Sequence, residues 1–599
     1  MPHATPPTTP VPTVPAPLTA ALDPGEHALA DGALVATHPL LAPAARWWRR
    51  VTEESTGIEL VPTPSRTAAA GEPAAEPTAE PVDSHRASVR FDLDDTLTCG
   101  AYALDVSPAV VQVRAADLPG AFAAAQTLRQ LGGAAAFRRA GTAPLVLPAL
   151  RVSDSPRHHW RGVLLDVARH FLPTADVLRF VDLAAAHHLN VLQLHLTDDQ
   201  GWRIEIERYP RLTQVGAWRR ESTVGTWRTG TLDGRPHGGY YTADDLREIV
   251  AYARERGVMV VPEVDVPGHV AAAVAAYPEL AARSGPHEVS TTWGISEDVL
   301  DPSEQTLAFF RGVLDEVCRI FDAPFVALGG DEVPTTAWSE RPDLAERAAS
   351  LGLTRGDGSP DVARLHGWFL ARLADHLRTR GRRAVVWDEA FGPDLPRDAV
   401  VVCWRGHTVA LDAMAAGHDV VMAPEQEVYL DHRAADDPDE PVPVGFVRTT
   451  ADVYGFEPLP AAALAARPGV PDDERPGRLL GAQAQVWTEH LDSARRVDYA
   501  AFPRLTAFAE AVWTTDPAPR APGGPASAAF LDRLHGAHLP RLAAAGVEFR
   551  PPEGPRPWQR RPGVAGHPRD LAAERAAAGW DGMGGWVPGR DGAEPEARR

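Results

Sequence analysis

The sequence predicts an α/β protein: a (β/α)8 barrel of the TIM type preceded by a small α+β domain. Two observations carry that prediction. From Arg161 onward, apolar runs of strand length alternate with amphipathic helical segments, the pattern of a parallel sheet buried on both faces. Eight such runs occur, and each ends in acid, imidazole, indole or guanidinium side chains, where a barrel enzyme keeps its chemistry.

Residues 1–20 read as a disordered Pro-rich lead. Residues 21–150 form the small domain, with short strands expected over 58–61, 88–92, 102–106 and 110–114 and a helix over 121–131. The Pro-, Ala- and Glu-rich stretch 63–86 reads as a loop insertion. Residues 151–550 are assigned to the barrel, with strands over 162–165, 191–195, 258–264, 325–328, 384–387, 400–404, 419–422 and 482–487. Helical segments such as 175–187, 243–256 and 307–320 fill the gaps, and 528–545 is the expected last helix. Loops 199–240 and 432–480 exceed ordinary connections and are of the size that shapes a site. The Pro-, Gly- and Arg-rich tail 551–599 is expected to be poorly ordered.

Composition excludes several classes of partner. Acidic side chains outnumber basic ones 80 to 59, a net charge of −21 that disfavours nucleic acid or an anionic membrane. There is no lysine, so every basic side chain is Arg. Cys99, Cys318 and Cys403 have neither disulfide-framework nor zinc spacing, and Cys318 and Cys403 are expected as buried thiols. No secretory signal and no membrane-spanning apolar run is recognised, so a cytoplasmic location is expected.

The strand ends suggest the ligand. Arg169 and His170 follow the first run, His195, Asp198 and Asp199 the second, and Glu263, Asp265 and His269 the third. The fourth ends in two glycines and Asp331-Glu332, the fifth and sixth in Trp387-Asp388-Glu389 and Trp404-Arg405. Tyr429 and Asp431 follow the seventh, Trp487 and Glu489 the eighth. Carboxylates and Arg suit hydroxyls, and indole faces suit the apolar face of a sugar ring. No Gly-rich loop opening a helix offers a phosphate site. His195, Asp198 and His269 could converge, but without tight ligand spacing, so neither metal nor cofactor is expected.

These residues carry a resemblance to the glycoside hydrolase family 20 β-N-acetylhexosaminidases. It runs from about Tyr102 to about Trp513 and rests on Arg161-Gly162, Leu165-Asp166, Arg169-His170-Phe171, the run 194–203, the run 262–269, Gly329-Gly330-Asp331-Glu332 and Trp487-Thr488-Glu489. The resemblance implies exo-acting removal of terminal β-linked GlcNAc or GalNAc from a small glycan or glycoconjugate, with retention through an oxazolinium intermediate. It gives Asp331 the acetamido group, Glu332 the role of acid/base, and Asp198 and His269 a chain behind Glu332. Tyr429 would donate to the acetamido oxygen with Asp431 nearby, Arg169 and Glu489 would bind hydroxyls, and Trp387, Trp404 and Trp487 would wall the pocket. Arg161, Asp166 and Asp199 are expected as structural ion pairs at the rim. As neighbours in an extended chain, Asp331 and Glu332 are expected to point in different directions. One departure stands out: Ala327 lies where the family usually has His. The alternatives are a disaccharide-releasing relative of the lacto-N-biosidase kind and a sugar-binding barrel that has lost catalysis.

Overall fold

The computed structural model describes residues 11–63, 87–466, 477–515 and 520–578. Seven strands form one mixed sheet: β1 (Thr19–Ala28), β2 (Ala33–Thr37), β3 (Leu60–Thr63), β4 (Val89–Leu93), β5 (Tyr102–Val106), β6 (Val111–Ala115) and β7 (Val146–Asp154). Their order is β1-β7-β5-β6-β4-β2-β3. Two helices, α1 (Ala42–Thr56) and α2 (Leu118–Leu131), share its core through Trp47, Trp48, Ala124 and Leu128. Asp117 starts α2 by accepting the Gly120 N–H, satisfying one orphan donor of the first turn. Apart from residue 63, which ends β3, the expected loop insertion lies outside the described residues.

The expectation of a disordered lead is corrected for residues 11–20. Val11 and Val14 are buried, and Gln130 treats Val14 as a neighbouring strand would. Its Oε1 accepts the Val14 N–H at 2.9 Å and its Nε2 donates to the Val14 carbonyl at 2.7 Å. Arg541 donates to the Pro12 carbonyl at 2.7 Å. A segment too poor in apolar residues to form a core of its own is held by two valines and borrowed side chains.

The second part is a closed parallel barrel of β8 (Trp160–Asp166), β9 (Val191–His195), β10 (Met259–Glu263), β11 (Phe325–Ala327), β12 (Arg383–Trp387), β13 (Val400–Cys403), β14 (Asp419–Met422) and β15 (Leu479–Val486). It closes where β15 pairs with β8, from Gly481 opposite Trp160 to Val486 opposite Leu165. Alternate residues face inward, and Leu164, Val191, Val261, Ala327, Val385, Val402 and Val421 form an interior core separate from the layer under the helices. The expected last helix is broken into Pro525–Arg533, a π-helical turn at Leu534–His538 and Leu539–Ala544. Cys403 is buried as expected, whereas Cys318 is only partly buried.

The expectation of a poorly ordered tail is corrected for residues 551–578. His567–Pro568 adds in parallel to Val444–Gly445. The Ala565 carbonyl accepts the Thr226 N–H at 2.8 Å, and Arg569 bridges Glu574, at 2.7 Å, and Glu425. The segment therefore ties together the long loops that follow β9 and β14. The two parts of the chain meet at Asp154, which accepts from Tyr102 Oη at 2.8 Å, Trp513 Nε1 at 3.0 Å and the Leu18 N–H at 3.0 Å.

Candidate active site

The turn after β11 sets the geometry. Pairing with β12 continues past the strand, with the Leu328 N–H on the Val385 carbonyl and the Trp387 N–H on the Gly329 carbonyl. The chain then turns through Gly329 and Gly330, at φ 62° and 93°. A Cβ on Gly329 would lie 1.8 Å from Asp265 Oδ1. That close approach lets the Gly330 N–H donate to Asp265 at 3.0 Å. Glu332 follows at φ 49°, a left-handed conformation that costs a non-glycine residue on the order of 1–3 kcal/mol. Its N–H donates to Glu389 Oε2 at 3.0 Å.

The expectation that Asp331 and Glu332 face apart is corrected here. Both carboxylates approach His269 Nε2, Asp331 at 3.7 Å and Glu332 at 3.4 Å, because the turn is not extended. On its other side His269 Nδ1 lies 3.3 Å from both Asp198 and Asp199. Asp198 also takes Arg169 at 2.7 Å and His195 Nε2 at 2.8 Å. Asp198, His269 and Glu332 thus form a contiguous chain.

Burial would lower the His269 and His195 imidazoles, but surrounding carboxylates hold both protonated well above the usual range. Burial would likewise raise Asp198, yet Arg169 and His269 hold it well below. Asp331 is pushed up to about 6 by burial, with His269 opposing and Glu332 adding. Glu389 is pushed up to about 8 by burial, with Arg405 opposing.

Aromatic side chains cluster close to these acids. Trp387 and Trp487 lie 6.0 Å apart between ring centres, and Tyr429 lies 6.2 Å from Trp487. Trp404 joins the same cluster, and Arg169 sits 5.0 Å over Trp487. The Leu430 N–H on the Gln485 carbonyl fixes the turn that carries Tyr429 and Asp431. Burial raises Tyr429, Asp431 and Glu489, with Arg169 opposing at Glu489. Several buried polar atoms have no hydrogen-bond partner among the described residues: Asp331 Oδ1, Asp431 Oδ1, Arg169 Nη1, Trp404 Nε1 and Glu389 Oε1. Unpaired groups of this kind are costly unless a ligand satisfies them.

Sequence reasoning missed the layer beneath. Glu263 accepts from His195 Nδ1 at 2.8 Å, Gln193 at 2.8 Å and Trp387 Nε1 at 3.0 Å. Gln483 extends the network to Gln193 and Trp160. The signal was strand parity: Gln193 and His195, like Val261 and Glu263, alternate onto the barrel interior. Arg161 is not the ion pair that was expected. It donates to the carbonyls of His158 and His188 and stacks 4.9 Å over Trp513, at the opposite end of β8 from the acids. Asp166 lies 3.6 Å from Arg169 and accepts both the N–H and the hydroxyl of Thr488. His195, Asp198, Asp199, Asp265, His269 and Asp331 lie in overlapping groups whose ligand atoms are close enough to hold a cation. Protonated His195 and His269 already place positive charge among those acids.

Known families match this arrangement along most of the chain. The model for "Glycosyl hydrolase family 20, catalytic domain" matches residues 158–516, and that for its domain 2 matches residues 11–155. The chain belongs to glycosyl hydrolase family 20. A beta-hexosaminidase of Porphyromonas gingivalis is 37% identical over 400 residues, 66% of this chain but 48% of the relative, so the alignment spans about half of that protein. One from Vibrio furnissii is 36% identical, over 72% of this chain and 68% of its own length. Among solved structures, a family 20 exo β-N-acetylglucosaminidase of Vibrio harveyi in complex with N-acetylglucosamine superposes with a TM-score of 0.74 at 30% identity, covering 91% of this chain and 79% of that one. The Streptomyces plicatus N-acetyl-β-hexosaminidase gives 0.73 at 27%, covering 92% and 99%. Against the family 20 pattern, Ala327 is 1% exposed, faces the barrel interior and pairs in register with Glu263 and Val385. It packs in the same interior cluster as Trp387, Trp404 and Trp487, four residues before Asp331.

Proposed function

We propose that this family 20 chain is an exo-acting β-N-acetylhexosaminidase, releasing terminal β-linked GlcNAc or GalNAc from a small glycan or glycoconjugate with retention. The observation that carries the reading is His269, shared by Asp331 and Glu332 on one side and by Asp198 and Asp199 on the other, beneath an aromatic pocket. Glu332 keeps 26% of its side chain exposed and can reach a leaving oxygen, whereas Asp331 is 15% exposed with Oδ1 unpaired. Asp331 orients the acetamido N–H and balances positive charge as the acetamido oxygen attacks C1. Tyr429 donates to that oxygen. Glu332 protonates the leaving oxygen and then deprotonates the water. Arg169, Asp431 and Glu489 take hydroxyls, and Trp387, Trp404 and Trp487 enclose the ring and its acetamido group. The test is parallel hydrolysis of aryl β-GlcNAc, β-GalNAc, β-Glc and lacto-N-bioside. Turnover confined to the first two is expected, and cleavage of β-Glc at a comparable rate would remove the acetamido group from the mechanism.

A further inference from the structure

Glu389 stands outside every role assigned above. It lies on the 3-10 turn Asp388–Ala390 that leaves β12. That turn is held on both sides: the Trp387 N–H donates to the Gly329 carbonyl at 2.9 Å, and Asp388 accepts the backbone N–H and Nε of Arg405 at 3.0 and 2.9 Å. From this anchored turn Glu389 Oε2 accepts the N–H of Glu332, the residue at φ 49°. Its other oxygen is buried with no protein partner among the described residues.

We infer that Glu389 is a positioning residue for the acid/base: its carboxyl group, carried on the turn after β12, holds the backbone of Glu332 in the left-handed conformation that presents the Glu332 side chain to the leaving group. A residue without glycine's freedom stays in such a conformation only when its surroundings impose it. The N–H of Glu332 is the handle by which the neighbouring strand does so. What the bond requires of Glu389 is an acceptor oxygen, not a charge. This agrees with the buried carboxyl holding its proton to about pH 8, which spares Glu332 and Asp331 a third negative neighbour at neutral pH.

The inference rests on the reading of Glu332 as the acid/base, and the experiment separates the two. Glu389→Met is nearly isosteric but offers only a weak thioether acceptor; Glu389→Gln keeps an amide oxygen in the same place. Each is compared with the native enzyme on an aryl β-GlcNAc bearing an activated phenol and on chitobiose, whose sugar leaving group needs full protonation. Glu389→Met is expected to lose at least tenfold more kcat on chitobiose than on the aryl substrate, while Glu389→Gln stays within about threefold of native on both. Equal losses on the two substrates, or a Glu389→Gln enzyme of native melting temperature that loses more than tenfold on chitobiose, would overturn the proposal. Should Glu389→Met not fold, the Gln comparison alone decides. A native enzyme inactive on both substrates removes the reading of the site and the role of Glu389 with it. An active native enzyme whose variants show no split removes only the latter.

Discussion

Glu332 and Asp331 share one imidazole yet call for opposite tests. If Glu332 supplies the proton, Glu332→Gln should lower kcat/KM on chitobiose by ~10²–10⁴-fold and much less on an activated aryl glycoside. Asp331 acts as an anion. Burial pushes its pKa up to about 6, so its ionised fraction falls as pH drops through that value. The kcat/KM profile of the native enzyme should therefore fall below about pH 6, and Asp331→Asn should be slow with that limb missing. Ala327 offers a contrast. With 1% of its surface exposed and the barrel packed around it, Ala327→His should cost ~1–3 kcal/mol in urea unfolding. The alkaline limb of the profile should stay where it is, because the group in contact with Glu332 is His269, not residue 327. A displaced limb would place residue 327 in the tuning network.

Strands, turns and their neighbours decide which of these side chains can meet. The turn after β11 depends on glycine: Gly329→Ala would drive a Cβ to 1.8 Å from Asp265 Oδ1 at φ 62°. It should destabilise by ~2 kcal/mol or more and displace Asp265, with kcat lost beyond what the stability change explains. This element scale is also where the sequence was most legible. Parallel strands buried on both faces are continuous apolar runs, so β9 and β14 fall on their expected residues and the other barrel strands within about three. β1 was illegible because it is mostly exposed and bulged between Leu22 and Glu26, and β7 carries Pro148 in its first half and Arg151, Ser153 and Asp154 in its second. The polar strand ends located the acids and the tryptophans. They could not reveal the Glu263 layer, whose partners meet across three strands, nor Glu389, whose partner is a backbone N–H set by φ alone. The lead and the tail were misjudged for one reason: composition measures what a segment can bury by itself, not what another part of the chain lends it.

At the scale of the whole molecule, a segment late in the chain braces the loops of the catalytic face. Arg569 reaches Glu425, which lies close enough to Glu332 to feel its charge, and the same segment pairs with Val444–Gly445 and caps Thr226. Arg569→Ala should lower stability by about 1–3 kcal/mol by leaving Glu425 without its cation. Amide hydrogen exchange should rise in 222–230 and 443–446, and unchanged exchange there would show the tail to be passive cover. The contact at Asp154 has a different reach, into the order of synthesis. The small domain leaves the ribosome first, yet its core is finished by Trp513, which bonds Asp154 from 359 positions downstream. At ~5–20 residues per second, the nascent domain waits about 20–70 s with an indole-sized gap in its core and Asp154 short of a donor. For that interval the first-made quarter of the chain depends on a residue not yet translated, and it is then that proteases and chaperones have their best access to it.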